Sequence, residues 1–122
     1  MQPIFEHLKE RQLAGTCDEV ALAGAIKALA YDPESGESQT LLKQIELSSK
    51  LHSIDTLILM NHTDCGGYGG RSAFDSPEAE REKHTADMHK VSDLLKEKFP
   101  NLDIKTVLAD IQESGEVQFL EV

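Results

Sequence analysis

An α/β domain, a mostly parallel sheet between helices in three layers, is the architecture this sequence predicts, and three observations predict it. Short, mostly apolar segments at 20–23, 55–60 and 104–108 have the length of buried strands. Segments with helical spacing separate them, and glycine, proline or asparagine marks most boundaries. Strand and helix in alternation build parallel sheets, because a parallel pair needs a long crossover that a helix supplies. With 122 residues, 39% of them hydrophobic and 28% charged, the chain suits one globular domain over 1–122 with a single core.

Each element has its own signal. Ile4, Phe5 and Leu8 share one face of a helix expected over 3–13, closed by Gly15. Val20-Ala21-Leu22-Ala23 reads as a buried strand ending at Gly24, and 25–30 as one or two helical turns. Asp32-Pro33-Glu34-Ser35-Gly36 is rich in turn formers. Ser38 is the expected cap of a helix running to about His52, with Leu41, Leu42, Ile45, Leu47 and Leu51 on its apolar side. A strand follows over 55–60. Asp75-Ser76-Pro77 opens a long helix, Ser76 as N-cap and Pro77 at its first position, and Pro100-Asn101 stops it after Phe99. Ile104, Val107 and Leu108 mark another strand and 117–122 a last one.

The formal charge of −10 argues against nucleic acid or an anionic membrane as partner, since both would be repelled. No apolar run approaches the roughly 20 residues needed to span a bilayer. Met1-Gln2-Pro3-Ile4 lacks the pattern of a secretory leader. Two cysteines without such a leader read as thiols rather than a disulfide framework, and the expected location is cytoplasmic.

The chemistry concentrates in Asn61-His62-Thr63-Asp64-Cys65-Gly66-Gly67, directly after a strand. Ligands of parallel sheets bind outside the carboxyl ends of the strands, where His62 and Cys65 fall. Zinc accepts imidazole nitrogen and thiolate sulfur together, so the pair is half of a zinc site; the alternative is a buried cysteine and a capped histidine in a tight turn. Asp64 is the candidate catalytic residue of the loop. It can bind metal, orient a ligand or cap the turn, and capping is the commonest of these uses. Gly66, Gly67, Gly69 and Gly70 do not form a nucleotide-binding fingerprint, since position 72 is Ser; a strained turn shaping the loop fits them better.

His84, Met88, Val91 and Leu95 fall on one helical stripe, which turns His84 inward. Asp87, three residues on, can orient or charge-balance it, and both are candidate additional metal ligands. A core histidine satisfied by a backbone carbonyl is the commoner arrangement. His7, His52 and His89 read as surface residues. Cys17 stands at the amino end of the 20–23 run, so in a parallel sheet about five residues at roughly 3.3 Å each separate it from His62.

Together these residues resemble the β-class carbonic anhydrases, and more closely their shorter carbonic-anhydrase-like relatives. The resemblance is carried by Ala23-Gly24-Ala25-Ile26-Lys27, Gln44-Ile45-Glu46-Leu47-Ser48, Lys50-Leu51-His52, the run from Leu57 to Gly69, His84-Thr85-Ala86-Asp87-Met88 and Phe99-Pro100-Asn101-Leu102. It spans roughly residues 4 to 110. It implies a parallel-centred sheet flanked by helices, assembly into homo-oligomers, and carbon dioxide and bicarbonate as the substrate pair. It also implies zinc held by a Cys, a His and a second Cys, the last two in an H-x-x-C-G motif matched by His62 and Cys65. Zinc lowers the pKa of a bound water, and the hydroxide attacks carbon dioxide.

The chain departs from the family where the first Cys belongs, in a C-x-D-x-R motif on an initial strand before the first helix. Here the first helix begins almost at Met1, and Cys17-Asp18 lies after it with Val at position 20. The expectation is therefore a carbonic-anhydrase-like fold with the first strand missing and an incomplete zinc site, weak or inactive in carbon dioxide hydration. One rival is an active zinc-dependent carbonate dehydratase, a lyase, whose third ligand comes from Asp64, His84 or another subunit. Another is a non-catalytic binding or assembly module.

Overall fold

Two strand pairings of opposite sense make the sheet in the computed structural model, which describes residues 2–10, 17 and 25–122. The elements run α1 (Gln2–Glu10), α2 (Ala25–Tyr31), α3 (Gly36–His52), β1 (Thr56–His62), α4 (Pro77–Lys98), β2 (Asp103–Ile111) and β3 (Val117–Glu121), with 3-10 turns at Gly66–Tyr68 and Arg71–Ala73. β1 and β2 pair in parallel, Asn61 opposite Leu108 and His62 opposite Ala109, with α4 as the crossover. β3 returns antiparallel to β2, Phe119 opposite Ala109. The described sheet is thus mixed, in the order β1-β2-β3, rather than mostly parallel. The expected 20–23 strand lies outside the described residues.

Local chemistry explains the helix starts. Ser76 adopts extended backbone and its hydroxyl accepts the Ala79 N–H, while Pro77 gives up no needed donor at the first helical position. The cap of α3 is Ser35, three residues before the expected Ser38; its hydroxyl accepts the Ser38 N–H. Ser38 is fully buried and donates instead to the Asp32 carbonyl, so it ties the turn to the helix. After β2, Gly115 at φ +89° allows the chain to reverse over residues 112–116, a hairpin turn that the residues 113–116, Glu-Ser-Gly-Glu, signal only weakly.

Alternation sorts the strand residues between two faces. Leu57, Leu59, Ile104 and Leu108 face α4, where they meet Met88, Val91 and Leu95 together with Ile26 and Leu29 of α2 and Leu41 and Leu42 of α3. Leu51, expected on the apolar side of α3, is 72% exposed, because that helix passes beyond the core in its last turns. Val107 and Ala109 are buried on the opposite face. There α1 lies over β3, with His7 stacked on Phe119 at 3.9 Å between ring centroids and 13° between planes. His7 is therefore half-buried rather than on the surface, while His52 and His89 are exposed as expected. No helix among the described residues is long and apolar enough to cross a membrane.

Candidate metal centre

His62 is the last residue of β1 rather than the start of the following loop, so the strand fixes its backbone. Asn61 reaches His84 on α4, and alternation turns His62 toward the other side of the sheet. His62 Nδ1 lies 2.8 Å from the Thr63 carbonyl oxygen. A carbonyl can only accept, so Nδ1 carries the proton and Nε2 presents a free lone pair, the tautomer of a metal-ligating imidazole braced by a backbone carbonyl. Thr63 is pinned to β2 twice, its N–H donating to the Ala109 carbonyl and its hydroxyl accepting the Ile111 N–H. The chain then turns through Asp64 at φ +57° to Cys65, which is half-buried and free of disulfide.

Asp64 caps this turn. Its Oδ1 accepts the Arg71 N–H at 2.7 Å, closing the loop over the first 3-10 turn at the start of the second. Gly69 and Gly70 at φ +86° and +80° make that closure possible; a Cβ at Gly69 would meet the Ala73 Cβ at 3.1 Å. Gly69 and Gly70 therefore shape the loop as expected, whereas Gly66 has neither a positive φ nor a close neighbour.

His84 is fully buried, as are Met88, Val91 and Leu95 on its stripe. Its partner is a side chain rather than the expected backbone carbonyl: Asn61 Nδ2 lies 2.9 Å from His84 Nδ1. With Asn61 donating, Nδ1 is the acceptor and Nε2 bears the hydrogen. That atom is buried without a hydrogen-bond partner, 3.8 Å from Glu80 Oε2. The Tyr68 ring meets His84 edge-on at 4.4 Å. Burial holds the His84 imidazole below its ordinary pKa; the Glu80 and Asp87 carboxylates oppose that shift and His62 adds to it.

Asp87, expected to serve His84, belongs to the tyrosines instead. Its two oxygens accept from the Tyr31 and Tyr68 hydroxyls at 2.6 and 2.8 Å, and Lys83 Nζ lies 3.4 Å away. Burial pushes the Tyr68 hydroxyl pKa up, and the hydrogen bond to Asp87 pushes it further. Asn61 also reaches the Tyr68 hydroxyl, at 3.3 Å. One polar chain therefore runs Lys83–Tyr31–Asp87–Tyr68–Asn61–His84. The carboxylate that sequence reasoning missed is Glu80, one helical turn before His84, a spacing that places the two side chains together.

These placements test the fit of zinc. His62 and Cys65 supply the donor types zinc prefers, and the His62 tautomer suits it. A catalytic zinc site takes three protein ligands. Among the described residues, no three His, Cys, Asp or Glu side chains converge as a metal site would require. Asp64 spends Oδ1 on Arg71, His84 directs Nε2 at Glu80, and Cys17 is exposed. Among the described residues, His62 and Cys65 offer donor types that zinc accepts, and no complete zinc site is assembled.

The chain belongs to the protein family described as "Putative carbonic anhydrase", whose model matches residues 1–120. An uncharacterised protein of Rickettsia conorii (strain ATCC VR-613 / Malish 7) is 34% identical over 104 residues, covering 83% of this chain and 56% of its own length. An uncharacterised protein of Rickettsia bellii (strain RML369-C) is 33% identical over 104 residues, covering 83% of this chain and 63% of its own. The chain thus spans less than two thirds of the length of either relative. No solved structure matches it.

Proposed function

We propose that this chain is a carbonic-anhydrase-like domain in which His62 and Cys65 are the retained half of a zinc site, and that carbon dioxide hydration by it is weak or lost. The observation that carries the reading is the contact of His62 Nδ1 with the Thr63 carbonyl at the carboxyl end of β1, three residues before Cys65: with Nδ1–H committed there, Nε2 is left to bind. The donor set supports the second half of the reading. With two ligands, zinc would be held weakly and would have no third protein ligand to fix its open position. Carbon dioxide and bicarbonate remain the substrate pair the family suggests.

Assembly into homo-oligomers belongs to the same reading. Among the described residues, the edge of β1 away from β2 carries no neighbouring strand, and exposed edges call for pairing or cover. Light scattering is expected to give a mass above that of one chain.

The decisive experiment is stopped-flow carbon dioxide hydration by the purified, zinc-supplemented protein, with metal content measured on the same sample. The expected result is substoichiometric zinc after dialysis and little acceleration over buffer. One zinc per chain retained through dialysis, with rapid hydration, would sink the proposal and favour a third ligand from another subunit.

A further inference from the structure

We infer that Glu80, backed by His84, is a positioning residue for the His62–Cys65 loop. Glu80 is 2% exposed, and a buried carboxylate must find compensation for its lost water. Part comes from its place in the first turn of α4, where unpaired N–H groups favour negative charge. The specific partner is across the fold: Glu80 Oε2 accepts the Asp64 N–H at 2.7 Å. A short hydrogen bond from a backbone amide to a charged oxygen is among the stronger kinds.

Asp64 is the residue between the two candidate ligands that adopts left-handed backbone, a conformation that non-glycine residues hold only when their surroundings enforce it. It is gripped from two sides. Glu80 accepts its N–H and its carboxylate accepts the Arg71 N–H, so neither the Thr63–Asp64 peptide nor the Asp64 side chain can rotate without giving up a bond. His84 completes the arrangement from behind. Its hydrogen-bearing Nε2, fully buried and otherwise unpartnered, faces the same Glu80 oxygen at 3.8 Å. That contact is electrostatic rather than a hydrogen bond, and it gives the buried N–H a negative neighbour. Through Glu80 the rigid helix α4 sets where the loop holds the Cys65 thiol relative to the His62 ring. The consequence for metal rests on the proposed function; the clamp itself does not.

The test therefore separates them. In the unmodified protein, the Asp64 amide is expected to exchange with solvent about tenfold more slowly than the exposed Gly66 and Gly67 amides. In a Cys17→Ser background, Glu80→Ala is expected to remove that protection and to raise the rate of Cys65 modification by an aromatic disulfide reagent about fivefold. Glu80→Gln retains an oxygen that can accept the same N–H and is expected to stay within about twofold of the parent on both measures. Rapid Asp64 exchange in the unmodified protein overturns the inference, and that measurement stands even where Glu80→Ala does not fold. A folded Glu80→Ala protein with unchanged protection and thiol reactivity also overturns it, as does loss of protection in folded Glu80→Gln. Cobalt(II) titration of the unmodified protein judges the other claim: no thiolate–cobalt absorption counts against the His62–Cys65 metal site, while exchange and labelling still decide the clamp.

Discussion

The loop at the end of β1 and the inward stripe of α4 carry similar residue types, histidine near acid, in opposite settings. His62 is half-buried, its one described polar partner is a neighbouring carbonyl, and one ring nitrogen is left over. His84 is buried among Tyr68, Phe74 and the core, in a polar chain that reaches Lys83. The first arrangement leaves a ring nitrogen at a half-buried position, whereas the second spends Nδ1 on Asn61 and buries Nε2 against the Glu80 carboxylate. A buried N–H without a hydrogen bond is costly, so the two histidines report two different demands on one fold.

Substitutions that sharpen this contrast should differ in size. Met88→Ala, below His84 on the stripe, empties a fully buried position and is expected to lower unfolding free energy by about 2–5 kcal/mol in urea titrations. Asp87→Ala leaves two tyrosine hydroxyls without their acceptor and is expected to cost about 2–4 kcal/mol by the same measurement. In the loop, Gly69→Ala combines a left-handed backbone with a close approach to Ala73, for an expected cost of about 1–2 kcal/mol. A loop change as costly as the Met88 change would erase the distinction between the regions.

Acid should single out His84. Its folded-state pKa is lowered, so as pH falls below the ordinary value of 6.5 the unfolded chain takes up the proton first. Stability therefore declines as pH drops from there and levels off once the lowered folded value is passed; at pH 8 the contribution is absent. The groups facing the ring are Glu80 and Asp87 from its own helix, Asn61 of β1 and Tyr68 of the loop, with His62 acting at longer range. Urea unfolding between pH 7.5 and 5.5 is expected to show a smaller decline in His84→Gln than in the parent. The smallest effect belongs to the candidate ligands: in metal-free protein, His62→Ala is expected to change stability by only about 0.5 kcal/mol, in keeping with a side chain that is not part of the core.

What could be read in advance followed the physics of each signal. The α4 stripe of His84, Met88, Val91 and Leu95 was legible because helical periodicity is a property of one segment, and all four are fully buried. Ser76 and Pro77 were legible for the same local reason. Ser35 was displaced to Ser38 because two serines three apart both suit a cap, and only the geometry of the preceding turn chooses. The pairing of Glu80 with Asp64 and of Asp87 with two tyrosines lay beyond local patterns, since these bonds span 16, 19 and 56 residues. The antiparallel β3 was placed as a strand, but its direction depends on a five-residue turn whose signal is a single glycine.

The crossover between β1 and β2 has a consequence in time. The β2–β3 hairpin closes over residues 112–116, whereas pairing β1 with β2 must close over residues 63–102. Chain-closure entropy for the longer segment is greater by about 2 kcal/mol, a cost met only once α4 has docked. Long-range pairings form late in folding. The His62–Cys65 loop, suspended between β1 and α4, should therefore be among the last parts of the molecule to acquire its shape. A nascent chain would carry the Cys65 thiol before it carries the geometry that holds it, and slow folding would lengthen its exposure to oxidants.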